Sequence, residues 1–357
     1  MLNTKTFATI AKWLISFSCL CLLLACQNTH YADLTTKQRT LFQFSQSELI
    51  KRQANKLNHQ ALLNHLQILA SDEFAGRQYR SVEIKLAKDY IAQKLTSFGV
   101  APYQDSYFHH FNSAQETVKI TDANKNALVE QLGTNIIGFI QGTGKTNKVI
   151  VLSAHFDHVG SKGNKIYNGA DDNASGTATL LELGRAIANA PLQHNVVLLF
   201  TDGEESNLLG AKAFAKDNAQ LLDKTILNVN LDMLAGANTT QRLRFIERKL
   251  HAVLTVKGRV QFEQLNEHAK LPVRKGFKQA NMRGANNASA RQWLFASDHG
   301  VFYRHNIAFI YFGVGTHKNY HTENDNYANV NKPFFVKASD HIYQLIYVLD
   351  QNMQPFG

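Results

Sequence analysis

Val149-Ile150-Val151-Leu152-Ser153-Ala154-His155-Phe156-Asp157 is an apolar run that ends on an imidazole and a carboxylate. Side chains that are apolar at consecutive positions belong to a strand buried on both faces, the kind found inside largely parallel sheets. The chain repeats the arrangement. An apolar run at 196–200 leads into Asp202-Gly203-Glu204-Glu205, and one at 226–231 leads into Asp232. A third, at 307–312, leads through the turn at 313–315 into Tyr320-His321-Thr322-Glu323-Asn324-Asp325. Another short run covers 135–140, and helical patterns fill 175–189 and 208–218. Buried strands alternating with helices predict an α/β fold, a three-layer α/β/α sandwich around a mixed, largely parallel central sheet.

Outside this core, apolar spacing predicts helices at 60–70 (Leu62, Leu63, Leu66, Leu69) and 81–98 (Ile84, Ala87, Ile91, Leu95), with Gly99 as the cap that ends the second. A closing helix from near Pro333 to Asp350 turns Phe335, Ala338, Ile342, Leu345 and Leu349 inward. The formal charge is +10. Between 235 and 291 there are twelve Lys/Arg against three acids, so this stretch carries nearly the whole excess. No nucleic-acid-binding module accompanies it. It reads as an insertion near the site, with a solvated basic surface that alternatively steers acidic peptides or meets an anionic envelope.

The strand ends carry the chemistry. In open α/β sheets, ligands bind outside the carboxyl ends of the strands, and three separate strands deliver His and carboxylate side chains to that edge. In His155-x-Asp157, the Asp can take the imidazole's second N–H and make the ring a better metal ligand. Two adjacent glutamates can divide labour, one binding metal and one handling protons. Asn168-Gly-Ala-Asp171-Asp172-Asn-Ala-Ser-Gly176 adds carboxylates at the start of a helix. Imidazole and carboxylate without thiolate suit zinc in an open, catalytic site.

In that order, His155-x-Asp157, Asp171-Asp172, Glu204-Glu205, Asp232 and His321 resemble the two-zinc aminopeptidase family of bacterial leucyl and streptomycete aminopeptidases. The resemblance runs over roughly 62–349 and takes in Leu69-Ala-Ser-Asp-Glu-Phe-Ala-Gly-Arg77 and Thr134-Asn-Ile-Ile-Gly138. It implies a zinc-dependent exopeptidase with two Zn2+. Asp171 would bridge the metals, His155 and Asp232 would complete one position, and Glu205 with His321 the other. Glu204 would be the general base, Asp157 would orient His155, and Tyr320 would donate to the developing oxyanion. The resemblance further implies a cis peptide between Asp171 and Asp172. Asp172 itself is expected to shape the turn. Ser297-Asp298-His299 resembles a family phrase near the substrate pocket, while His109-His110, inside an aromatic stretch, reads as surface or packing.

At the amino terminus, Lys5 and Lys12 precede an apolar run from Trp13 to Ala25, shorter than the ~20 residues of a membrane-spanning helix. It reads as a secretory signal. Leu23-Leu24-Ala25-Cys26 resembles the lipobox of bacterial lipoproteins, which implies cleavage before Cys26 and its acylation. All three cysteines, Cys19, Cys21 and Cys26, lie at or before that cut, so no internal disulfide framework is expected. The predicted organisation is a signal at 1–25, a tether with some helical character at 26–55 and a zinc peptidase domain at 56–357. The partners expected are peptide substrates and a membrane, through the lipid anchor, in the bacterial cell envelope; Gln27 after the cysteine implies the outer membrane. Two other functions fit the same residues: a single-zinc glutaminyl cyclase, and a non-catalytic binding lipoprotein on the same scaffold.

Overall fold

A computed structural model describes residues 35–54, 56–112, 132–277 and 290–355. Nine strands make one sheet: β1 (Ala101–Pro102), β2 (Phe108–Phe111), β3 (Gly133–Ile140), β4 (Val149–His155), β5 (Asn195–Thr201), β6 (Thr225–Leu231), β7 (Leu243–Arg248), β8 (Val273–Lys275) and β9 (Ala308–Gly313). Their order is β1-β3-β5-β4-β6-β9-β7-β8, with β2 also paired to β3. The four central strands β5, β4, β6 and β9 run parallel, and antiparallel partners flank them on both sides. The fold is therefore α/β with a mixed central sheet.

Every residue of β4 and β6 is buried. Within β4, Ile150, Leu152 and Ala154 enter one core while Val149 and Val151 enter another. Strand β5 divides in the same way, Val196, Leu198 and Phe200 against Val197 and Leu199. Side chains of a strand alternate between faces, so covering both faces with helices requires the unbroken apolar runs seen in the sequence.

Helices α3 (His59–Leu69), α4 (Ile84–Ser97), α5 (Gly176–Asn189) and α9 (Lys332–Gln351) contribute to the larger core; α6 (Leu209–Asp217) and α8 (His299–Arg304) contribute to the other. Gly99 ends α4 with φ +72, the left-handed conformation that favours glycine. The inward positions expected of α9, namely Phe335, Ala338, Ile342, Leu345 and Leu349, are all buried.

Two further regions join the fold. Part of the stretch expected to be a tether forms α1 (Thr36–Phe42) and α2 (Gln46–Ala54), and it docks through buried Phe44 and Leu49. The N–H of Phe44 donates to Gln264 Oε1 at 2.7 Å, and the Gln264 amide donates back to the Phe44 carbonyl. Gln264 belongs to α7 (Val256–Glu267), within the basic stretch. That stretch also supplies β7 and β8, so it extends the main sheet itself. Residues 1–34, with the expected signal and Cys26, and 278–289 of the basic stretch lie outside the described residues.

Candidate metal centre

Register alone gathers the site. His155 pairs with Thr201 across β4 and β5, Ser153 with Asn230 across β4 and β6, and Phe312 with Leu231 across β9 and β6. The carboxyl ends of four parallel strands therefore open on one edge, where His155, Glu204-Glu205, Asp232 and the loop bearing His321 meet. Two groups of side chains there have donor atoms within 4.8 Å of one another: His155, Glu204 and Asp232, and His158, Asp172, Glu205 and His321.

Asp172 joins the groups. Its Oδ1 lies 3.4 Å from His155 Nε2 and its Oδ2 lies 3.0 Å from His321 Nε2. His155 Nε2 is also 3.4 Å from Asp232 Oδ1, and Glu205 Oε1 is 3.0 Å from both His321 Nε2 and His158 Nδ1. Four ligands on bonds of ~2.0–2.2 Å in a tetrahedron stand ~3.3 Å apart. The observed separations therefore fit a hard-to-borderline cation such as zinc, and the His and carboxylate donor set fits as well.

The structure places Asp172, and not Asp171 of which bridging is expected, between His155 and His321. Asp171 turns away: its Oδ1 accepts the N–H groups of Ala235 and Gly236, each at 2.7 Å, and its Oδ2 lies 2.8 Å from His317 Nε2. The cis peptide is likewise one residue further on, between Asp172 and Asn173. Asp325 shapes the turn by accepting the N–H groups of Asp171 (2.9 Å) and Asp172 (3.1 Å). Burial, reinforced by Asp171, raises the Asp325 pKa to about 7. Asn173 Oδ1 accepts the N–H of Gly176 at the start of α5 and that of Met233 after β6, which ties the turn to the next strand end.

Asp157 does more than was expected of it. The His155 Nδ1 lies 3.2 Å from the main-chain carbonyl of Asp157 and 3.6 Å from its carboxylate. The carboxylate oxygens accept the N–H groups of Glu204 (3.0 Å) and Glu205 (3.3 Å), so Asp157 holds the acid pair in place. Burial opposes charge on His155, but the carboxylates of Glu204, Asp157 and Asp232 outweigh it and raise its pKa well above the usual value. Burial pushes the Glu204 carboxyl well above the usual carboxylate range, and Glu205, Asp232 and Asp298 reinforce this against the opposing His155. Glu205 goes the other way, well below that range: burial raises it, but His158 and His321 prevail.

Tyr320 stacks on His321, with ring centroids 3.8 Å apart. With Met233, Trp293 and Tyr311, it walls a cavity of ≈ 70 Å³ that also contains His155, Asp172, Glu204, Glu205 and Asp232. Burial and these carboxylates raise the Tyr320 pKa and keep its hydroxyl a donor. A larger cavity of ≈ 690 Å³ beside β8 touches none of them. His109 and His110 lie in β2; His109 Nε2 is 3.2 Å from Asp217, and His110 Nδ1 is 3.0 Å from the Thr134 hydroxyl. Asp298 accepts the hydroxyl hydrogen bond of Thr201, and burial raises its pKa to about 6. His158 was not anticipated, although it stands three residues after His155 in the same strand-end turn. His317 was also missed.

Residues 135–346, more than half of the chain and the span that builds this edge, match the family described as "Peptidase family M28". The chain belongs to peptidase family M28. This M28 chain is 27% identical over 194 residues to the alkaline phosphatase isozyme conversion protein of Escherichia coli, covering 49% of this chain and 54% of that protein. It is 30% identical over 110 residues to aminopeptidase YwaD of Bacillus subtilis, covering 30% and 23%. The chain spans less than two thirds of the length of these curated relatives. Among solved structures, a zinc aminopeptidase from Bacillus subtilis superposes with a TM-score of 0.58 at 14% identity, over 82% of this chain and 95% of that one. At that identity the likeness is one of fold.

Proposed function

We propose that this M28 peptidase is an aminopeptidase that works with two zinc ions. The observation that carries the reading is Asp172, whose two oxygens face different histidines and so suit a carboxylate shared between two cations. His155 and Asp232 would complete one position, and Glu205 and His321 the other. Zinc held there would supply Lewis acidity, polarising the scissile carbonyl and making water acidic near neutral pH. Kinship with proteins named aminopeptidases supports the choice among peptidases.

The chain's own residues then have distinct tasks. Glu204 takes a proton from the attacking water and returns it to the leaving amine nitrogen. Burial raising its pKa and divalent charge lowering it place the carboxyl where both transfers are feasible. Asp157 fixes the height of Glu204 through the main chain. Tyr320 points a neutral hydroxyl from the cavity wall, suited to donate to the developing oxyanion.

The test uses the purified mature protein and aminoacyl-4-nitroanilides. Activity should be lost to a chelator and restored by zinc, and Glu204→Gln should lower kcat by ~10²–10⁴. Activity that survives both treatments defeats the reading. Peptides beginning with Gln provide a further arm: loss of ammonia with the chain intact would point to a glutaminyl cyclase. We further propose that Cys26 carries a lipid and places the enzyme at the bacterial envelope; fatty-acid labelling that persists in Cys26→Ser would refute it.

A further inference from the structure

His158 stands at the fourth corner of one ligand group. Its side chain is fully buried. Its Nδ1 lies 3.0 Å from Glu205 Oε1 and 3.7 Å from Asp172 Oδ2, while His321 Nε2 lies 3.0 Å from each of those same oxygens. These four separations scatter around the ~3.3 Å edge expected of a zinc tetrahedron. A histidine serving only to hydrogen-bond Glu205 has no need to bring the same nitrogen within 3.7 Å of an Asp172 oxygen as well.

The ring is also held in that position. Its main-chain N–H donates to the Arg77 carbonyl at 3.1 Å. It packs on the backbone of Gly169, where a Cβ would come within 2.5 Å of His158 Cγ. Among the described residues Nε2 has no hydrogen-bond partner, so the polar engagement of the ring is through Nδ1, the atom facing the carboxylates.

We propose that His158 is a fourth protein ligand at the Asp172–Glu205–His321 position, an inference that rests on the two-zinc reading. The two positions are then unequal. The group with His158 offers four protein ligands, the closed arrangement of a site that retains its ion. His155, Asp172 and Asp232 offer three, the arrangement that leaves a place for a reacting group. The chain would thus have one tightly held ion and one exchangeable ion that faces substrate.

The alternative is that the ring merely donates its Nδ1–H to Glu205. His158→Asn separates the two, because an amide N–H near the position of Nδ1 keeps the donor but has no ring lone pair for zinc. Apo protein, wild type and H158N, is titrated with zinc against a chromogenic chelator. X-ray absorption on zinc-loaded wild type, which needs no variant to fold, counts imidazoles. The expectation is two ions in the wild type with three imidazoles between them, and a loss of at least ~10–100-fold in the tighter affinity of H158N. Two ions with two imidazoles, or unchanged affinities in H158N, overturn this inference and leave the two-zinc reading standing. A single ion overturns the two-zinc reading, and the imidazole count at that ion still decides the role of His158: two keep it, one rejects it. Wild type that takes up no zinc overturns both.

Discussion

The carboxylate of Asp157 accepts the main-chain N–H of Glu204 at 3.0 Å, so a residue at the end of one strand sets the position of the acid at the end of the next. The other oxygen takes the N–H of Glu205 at 3.3 Å. Removing this bracket frees both glutamates without touching either side chain. Asp157→Ala should therefore reduce kcat by ~10–100-fold, the range typical of residues that support ligands. Asp157→Asn, which keeps one acceptor oxygen, should lose less. Steady-state kinetics on both variants, with zinc content measured alongside, checks the order; equal losses would contradict it.

The neighbouring aspartates should separate cleanly. Asp172 faces the histidines, whereas Asp171 accepts two main-chain N–H groups and meets His317. Asp172→Asn should abolish zinc uptake while the fold persists. Asp171→Asn should retain zinc but lose stability, because hydrogen bonds to a buried charge contribute about 1.5–3 kcal/mol each. Metal analysis and urea unfolding of the two variants make the comparison. Loss of zinc in Asp171→Asn with full retention in Asp172→Asn would reverse the assignment.

Most of this architecture can be read from the chain because β4, β5, β6 and β9 are buried on both faces, and only apolar runs satisfy that requirement. The His and acid residues at their ends follow from the same runs. What could not be read depends on backbone direction. Asp171 and Asp172 are chemically identical neighbours, and the non-helical dihedrals of Asp172 (φ −105°, ψ 96°) decide which one faces the histidines. His158 resembles an ordinary turn residue until the chain folds back over Gly169. β7 was hidden because Leu243-Arg-Phe-Ile-Glu-Arg248 lies near the sheet edge and mixes charged with apolar side chains.

Among the described residues Arg77 is the largest fully buried side chain, and it donates to the carbonyls of Leu69, Phe156, Asn168 and Gly169. It ties the end of α3 to the end of β4 and to the turn that carries Asp172. Burial lowers its pKa to about 10 against the opposing pull of Asp325, Asp157, Asp172 and Glu205, so it stays charged at neutral pH. Each buried carbonyl left without a donor costs about 1–3 kcal/mol. Arg77→Met should be severely destabilised. Arg77→Lys should fall between, because an ammonium has three donors for four acceptors. Calorimetric melting of the three proteins checks this, and a Tm of Arg77→Met matching wild type would contradict it.

His341 gives a pH signature far from the metal centre. It is buried on α9, and its Nε2 lies 2.9 Å from Asn266 Oδ1, so the neutral ring donates there. Burial lowers its pKa from 6.5 to about 4. Between those values the unfolded chain binds a proton that the folded chain refuses, so stability falls as pH drops. The stabilising contribution is complete above pH 6.5 and is lost progressively toward pH 4. At one pKa unit per 1.36 kcal/mol, the loss reaches about 2 kcal/mol by pH 5. His341→Gln keeps an N–H for Asn266 but cannot titrate, so its unfolding free energy should fall less than that of wild type between pH 7 and pH 5. Buried His299, lowered to about 4 by burial in the same way, remains in both proteins and cancels in the difference. Urea unfolding at the two pH values measures that difference directly, and parallel losses in both proteins would show that the folded ring takes up its proton as readily as the unfolded one, contrary to the lowered pKa.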